Sequence, residues 1–151
     1  MIKTFRTALV VFLSFLVSFA AHAAADKQEA QALVEKAVAY AQTNGKDKLV
    51  TEVNKKNGPF HQGDLYVFVF DLDGTVIANP ANPEVVGKND IAKPDADGKL
   101  FRKDILNVAK TQGSGWVDYK WLNPTNGKVE PKTSYVKKQG DVIIGAGVYA
   151  K

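Results

Sequence analysis

Two carboxylates one residue apart close an apolar run in Phe70-Asp71-Leu72-Asp73-Gly74-Thr75. At that spacing a first carboxylate can attack phosphorus while a second moves the proton, so Asp71 and Asp73 are candidates for phosphoryl-transfer chemistry. A second group of residues is suited to binding rather than reaction: Trp116, Tyr119, Trp121, Lys132 and Tyr135, with Asn79 upstream. An ammonium with phenolic donors among apolar rings can take a compact organic anion out of water. The chain has no cysteine, which excludes a thiol nucleophile, disulfides and thiolate metal sites. Asp95-Ala96-Asp97-Gly98 resembles half a calcium loop, but Lys93 stands at the first ligand position and no Glu closes it. No metal and no cofactor are expected.

The elements that carry these residues decide between the two chemistries. Ala30, Leu33, Val34, Ala37, Val38 and Ala41 repeat at helical spacing until Asn44-Gly45, and Leu49, Val50 and Val53 predict a second short helix before Asn57-Gly58-Pro59. Leu65 to Phe70 is β-branched and aromatic without alternation, which predicts a central strand covered on both faces. Thr75 to Ala78 resumes the β pattern, giving a hairpin that turns at Asp73-Gly74. An irregular stretch, Asn79 to Gly98, carries Pro80, Pro83 and Pro94; Leu100 to Gln112 then has helical spacing. Three strands separated by short turns finish the chain: Trp116 to Leu122, Glu130 to Lys138 and Val142 to Tyr149. The expected architecture is α+β, with a five-stranded antiparallel sheet.

That topology disfavours phosphoryl transfer. Asp-x-Asp-Gly-Thr matches the nucleophile motif of haloacid-dehalogenase-type phosphatases, whose parallel sheet needs crossover helices and whose magnesium needs distant acidic partners. Only 76 residues follow Thr75, and they contain no adjacent acidic pair. Asp71 and Asp73 read instead as turn residues capping backbone amides, with Gly74 at positive φ. The phosphatase stays as one alternative function, and a non-ligand-binding interaction module as another.

At 151 residues the chain is one domain, and 45% hydrophobic content supports a real core. Residues 1–23 read as a secretory signal peptide: Lys3 and Arg6, an apolar run from Ala8 to Ala21, then Ala21-His22-Ala23 before Ala24. The alternative is an uncleaved anchor in the inner membrane. The mature domain, 24–151, would be periplasmic or secreted. Without Lys3 and Arg6 the formal charge falls from +4 to +2, so the basic balance does not point to nucleic acid.

Gly115-Trp116-Val117-Asp118-Tyr119-Lys120-Trp121-Leu122-Asn123-Pro124, followed by Pro131-Lys132-Thr133-Ser134-Tyr135-Val136, closely resembles the signature of the single Cache domain, type 2. The hairpin Tyr66 to Pro80 and the closing Gly145-Ala146-Gly147-Val148-Tyr149 resemble the same family, so the likeness runs from about Ala30 to the C-terminus. The resemblance implies a PAS-like extracytoplasmic sensor: a long N-terminal helix behind an antiparallel sheet, a pocket for a short organic acid on the other face, and a chemoreceptor or sensor-kinase partner. The chain departs from that pattern by ending at Lys151 without a second membrane helix or signalling module, which suggests a free periplasmic binding protein. Asn79 stands where the family often has His, which puts the usual contact there in doubt. Oligomeric state is open.

The residues support a pocket independently. Val117, Tyr119 and Trp121 share one strand face; Ile143, Gly145, Gly147 and Tyr149 share another, where two missing side chains would leave a depression. The glycines could equally permit close packing, and the aromatics could be core. Lys132 could be an edge-strand gatekeeper or an inward charge for a carboxylate. Strict alternation separates Lys132 from Tyr135, so both reach one ligand only if a bulge or the loop before the strand intervenes. His61 reads as a surface residue. Asn79 and Arg102 are the next candidates for holding the anion. A secretory host should release a chain whose intact mass begins at Ala24; a full-length membrane-bound product would overturn the leader.

Overall fold

The computed structural model describes the backbone of residues 15–150 and side chains from Asp26 to Ala150. The expected leader lies outside these residues except for the backbone of 15–23, which is helical. Among the described residues no helix is long and apolar enough to cross a membrane.

Three helices, α1 (Phe15–Asn44), α2 (Lys46–Val53) and α3 (Phe101–Gln112), pack on an antiparallel sheet. The strands are β1 (His61–Gln62), β2 (Leu65–Asp71), β3 (Val76–Ala78), β4 (Ser114–Leu122), β5 (Val129–Gln139) and β6 (Val142–Tyr149). All five expected strands form, and the two-residue β1 makes a sixth. The order is β1-β2-β6-β5-β4, with β3 also paired to β2. β5 and β6 are central, whereas β2 is flanked by β6 and by the short strands.

Side-chain alternation splits the core in two. Val67, Val69, Tyr135, Val142, Ile144 and Ala146 face Val34, Ala37 and Val38 of α1 and Leu49 and Val53 of α2. Alanines at Ala30 and Ala37 let α1 lie close to the strands. On the opposite face Tyr66, Phe68, Phe70, Val117, Tyr119, Val136 and Ile143 meet Phe101, Ile105, Leu106 and Ala109 of α3. Burial on both faces explains why β2 shows no polar alternation.

Asp71 organises the β2–β3 turn. Its Oδ1 accepts the backbone N–H of Asp73 at 3.0 Å and of Thr75 at 2.8 Å, and Gly74 takes φ 93°. The carboxylate is a cap, as expected, and the antiparallel sheet is not the phosphatase fold. The chain from Asn79 to Leu100 forms a strap across the α3 side, with one 3-10 turn at Pro83–Val85. Asn89 Nδ2 donates to Asp73 O at 2.9 Å, and Gly87 N–H donates to Val76 O at 2.7 Å. The far end is clamped by Asp95. Its Oδ1 accepts from the amides of Asp97 and Lys99, and its Oδ2 accepts the Lys120 N–H on the edge of β4, each at 2.9 Å. What read as half a calcium loop is therefore a backbone clip. Partial burial raises the Asp95 pKa, but the Lys120, Lys99 and Asp97 amides outweigh it and hold the carboxyl below its ordinary value.

Two outcomes follow from these contacts. A Cβ at Gly74 would lie 3.3 Å from Ile91 Cδ1 at a φ that L-residues rarely adopt, so Gly74→Val should cost about 1–2 kcal/mol in urea denaturation. An unchanged midpoint would contradict the turn's role. Asp95 stabilises the fold fully above its unfolded pKa of 3.8, and that stabilisation disappears as pH falls through its lower folded value. The melting-temperature gap between wild type and Asp95→Asn should therefore be constant at neutral pH and close in acid; a gap that widens in acid would refute the clip.

Candidate ligand-binding site

A small, half-open cleft lies between the sheet, the strap and the start of α3. Tyr66, Phe68 and Phe70 of β2, Tyr119 and Trp121 of β4, Phe101 and Arg102 of α3 and Asn79 and Val85 of the strap line it. Strand parity places the β2 and β4 residues here, because residues two apart point to one face. α3 begins at Phe101, so its first turn delivers both Phe101 and Arg102 to the cleft.

Arg102 is 4% exposed. Its guanidinium lies 4.5 Å from the Phe101 ring centroid and 5.2 Å from that of Trp121. One Nη donates to Asp90 O at 3.4 Å, while the buried Nε has no hydrogen-bond partner. Burial lowers the Arg102 pKa, and the nearby Asp90 and Tyr119 oppose that shift. Lys132 is 2% exposed, and among the described residues its Nζ likewise has no hydrogen-bond partner. Its ammonium sits 4.0 Å from the centroid of Tyr66, 4.8 Å from Tyr149 and 5.8 Å from Phe68. Those rings face the cation with their π clouds. Lys132 does not line the cleft itself; it lies against Tyr66 and Phe68, which do. β5 runs between β4 and β6, so the gatekeeper reading of Lys132 is excluded.

The phenols are tied to fixed partners. Tyr119 stacks on Phe101 at 4.3 Å and 3°, and its hydroxyl is 2.9 Å from Ser134 Oγ. Burial pushes the Tyr119 phenol well above its ordinary pKa, with the Tyr66 phenol adding to the shift, so it remains a neutral donor. Tyr149 donates to Leu122 O at 2.7 Å, leaving its oxygen to accept from the Tyr66 hydroxyl at 3.4 Å. Burial, then Tyr66, raises the Tyr149 pKa strongly. Asn79 lines the cleft, and its Oδ1 accepts the amides of Ala81 and Asn82 at 3.2 and 2.9 Å.

Four sequence-based expectations need correction. β5 pairs with β4 and β6 in continuous register, so no bulge turns Tyr135 inward. Tyr135 and Trp116 instead pack together at 5.4 Å on the α1 face, away from the cleft. The glycines leave no depression: a Cβ on Gly145 would come within 2.4 Å of Phe68 Cζ, and one on Gly147 within 2.1 Å of Ser134 Oγ. His61 is buried rather than exposed; its Nδ1 accepts the Asn57 N–H at 3.2 Å, so Nε2 carries the proton toward Gly63 O. Sequence reasoning missed Tyr66, Phe68, Phe101 and Tyr149 as cleft or cage residues. The signal was available for Tyr66 and Phe68, which share the parity of Phe70, but only the pairing of β2 with β6 brings them beside Lys132.

An antiparallel sheet backed by a long helix, with a cleft on its other face, is the PAS-like arrangement expected from the sequence. The chain belongs to the Single Cache domain 2 family, which matches residues 7–151. Over 88 residues, 57% of this chain, it is 35% identical to the methyl-accepting chemotaxis protein McpP of Pseudomonas putida. It is 34% identical, also over 88 residues, to the sensor histidine kinase MctS of Rhizobium johnstonii. The matched region spans 16% and 19% of those proteins, so the chain corresponds to a small part of each. The periplasmic sensor domain of a chemotaxis protein superposes with a TM-score of 0.68 at 25% identity, covering 91% of this chain and 99% of that one. A methyl-accepting chemotaxis protein from Vibrio parahaemolyticus gives 0.74 at 19% identity, covering 89% and 95%. A Cache chemosensory domain whose structure describes carboxylic acid recognition gives 0.66 at 22% identity, covering 91% and 99%. These relatives and neighbours are chemotaxis proteins, a sensor histidine kinase and a Cache chemosensory domain, and one of them is a periplasmic sensor domain.

Proposed function

We propose that the chain binds a short organic acid, a C2–C4 carboxylate, in the cleft and acts there as a sensor without catalysis. The supporting observation is that two cations, Arg102 and Lys132, are buried against the cleft's walls and each has a nitrogen with no hydrogen-bond partner among the described residues. A buried charge left unpaired is costly, and a carboxylate supplies both the opposite charge and the missing acceptors. Tyr119 and Tyr66 add phenol groups, and Phe68, Phe101 and Trp121 form apolar walls that limit the ligand to a few carbons. Asn79 lies at the strap end of the same cleft. The carboxylic acid recognised by one structural neighbour is consistent with this ligand class. The domain would work in the periplasm or outside the cell, after loss of residues 1–23 or on an uncleaved anchor. Its partner would be a membrane chemoreceptor or sensor kinase.

Acetate, propionate, lactate and pyruvate provide the test, read as a shift in melting temperature. A ligand at about 100 times its dissociation constant should stabilise the fold by about 2.7 kcal/mol, several degrees for a domain near this size. Lys132→Met keeps the stem and removes the charge. The ligand-induced shift should disappear while the ligand-free melting point holds or rises, because the ammonium has no hydrogen bond to lose. If the acids still stabilise that variant fully but not Arg102→Gln, Arg102 alone holds the anion; if no acid stabilises the wild type, the carboxylate reading fails.

A further inference from the structure

The Tyr119 and Ser134 hydroxyls share one hydrogen bond of 2.9 Å, and its direction determines what the cleft presents. Ser134 is 0% exposed, and among the described residues its hydroxyl has no other hydrogen-bond partner. Two hydroxyls joined by one bond use one proton between them and leave the other needing an acceptor. If Tyr119 donated, the Ser134 proton would be stranded in a dry site, a costly arrangement. If Ser134 donates, the spare proton is that of Tyr119, a residue that lines the cleft and is 7% exposed where Ser134 is 0% exposed.

The surroundings hold this pair in place. The Tyr119 ring is stacked face to face on Phe101, which fixes its plane and leaves the O–H rotor as the free coordinate. Gly147 stands opposite Ser134 in the register of β5 and β6, and any Cβ there would collide with Ser134 Oγ at 2.1 Å. The space beneath Tyr119 is thus reserved for that hydroxyl.

We propose that Ser134 is a positioning residue: it donates to the Tyr119 oxygen and thereby turns the Tyr119 proton toward the cleft as a one-way donor to a ligand oxygen. The inference deepens the carboxylate reading and rests on it for the ligand, but the direction of the hydrogen bond can be measured without one. Accepting a hydrogen bond lowers the phenol C–O stretching frequency, and donating one raises it.

The experiment uses the full chain with tyrosine labelled at the ring carbon bearing oxygen, the Tyr119 band being identified by its loss in Tyr119→Phe. In ligand-free protein Ser134→Ala should raise the Tyr119 C–O frequency; a fall would show that Tyr119 is the donor and overturn the proposal. Propionate affinity is then measured for wild type, Ser134→Ala, Tyr119→Phe and the double variant. Ser134→Ala alone should weaken binding about 2- to 10-fold, and it should cost nothing further in the Tyr119→Phe background, since Ser134 acts through that hydroxyl. Losses that simply add would refute the positioning role. If propionate does not bind the wild type but the frequency rises, the bond direction stands and the carboxylate reading is what fails.

Discussion

An ammonium withdrawn from water with no carboxylate or carbonyl to receive its protons is the constraint around which the cleft side of this domain is organised. Lys132 lies in β5, between β4 and β6, and among the described residues its charge is met by the faces of Tyr66, Phe68 and Tyr149. Those rings come from β2 and β6, so the cage exists only because these two strands pair with each other and β6 pairs with β5. Cation–π contact offsets part of the cost of desolvation but provides no acceptor. The sheet therefore holds a positive charge in a state that an added anion would improve.

The continuous register of the central strands distributes every other role. A one-residue slip would exchange the two faces of a strand, and here both faces are buried, so register is specified from both sides. On β5 the parity that sends Lys132 and Ser134 toward the cleft sends Tyr135 toward α1. On β4 the same parity separates Tyr119 and Trp121 from Trp116. The aromatic-rich signature therefore supplies two cores as well as a site, and half of its rings serve the helix side.

Periodicity and turn residues were enough to read the strands, the helices and the Asp71 turn, because those features are local. The division of Lys132 from Tyr135 was legible too, since it needs only alternation. What the sequence could not give was contact across non-adjacent segments: that Phe68 fills the space over Gly145, that Ser134 fills the space at Gly147, and that Arg102 enters the cleft from α3. His61 was misjudged for a more local reason, the tight turn around it. A lone histidine beside Pro59 and Phe60 looks exposed until the chain folds back and the Asn57 amide and Gly63 carbonyl reach its ring. Asp95 was likewise readable as acidic and turn-forming, but not as the clip on the open edge of β4.

The strap and the buried cations act on the cleft in complementary ways. Hydrogen bonds from Asn89, Gly87 and Lys120 hold the strap at its middle and near its far end, so the chain's own contacts fix this wall of the cleft. Preformed walls reduce the ordering that binding would otherwise require. Arg102 Nε and Lys132 Nζ are also buried without a hydrogen-bond partner among the described residues, so the cleft's surroundings offer an anion two cationic donors. An anion entering such a site gains the interaction free energy without paying much to shape the pocket. The two charges that such an anion would meet sit on α3 and on the central strand β5, elements packed into the core, rather than on a loop.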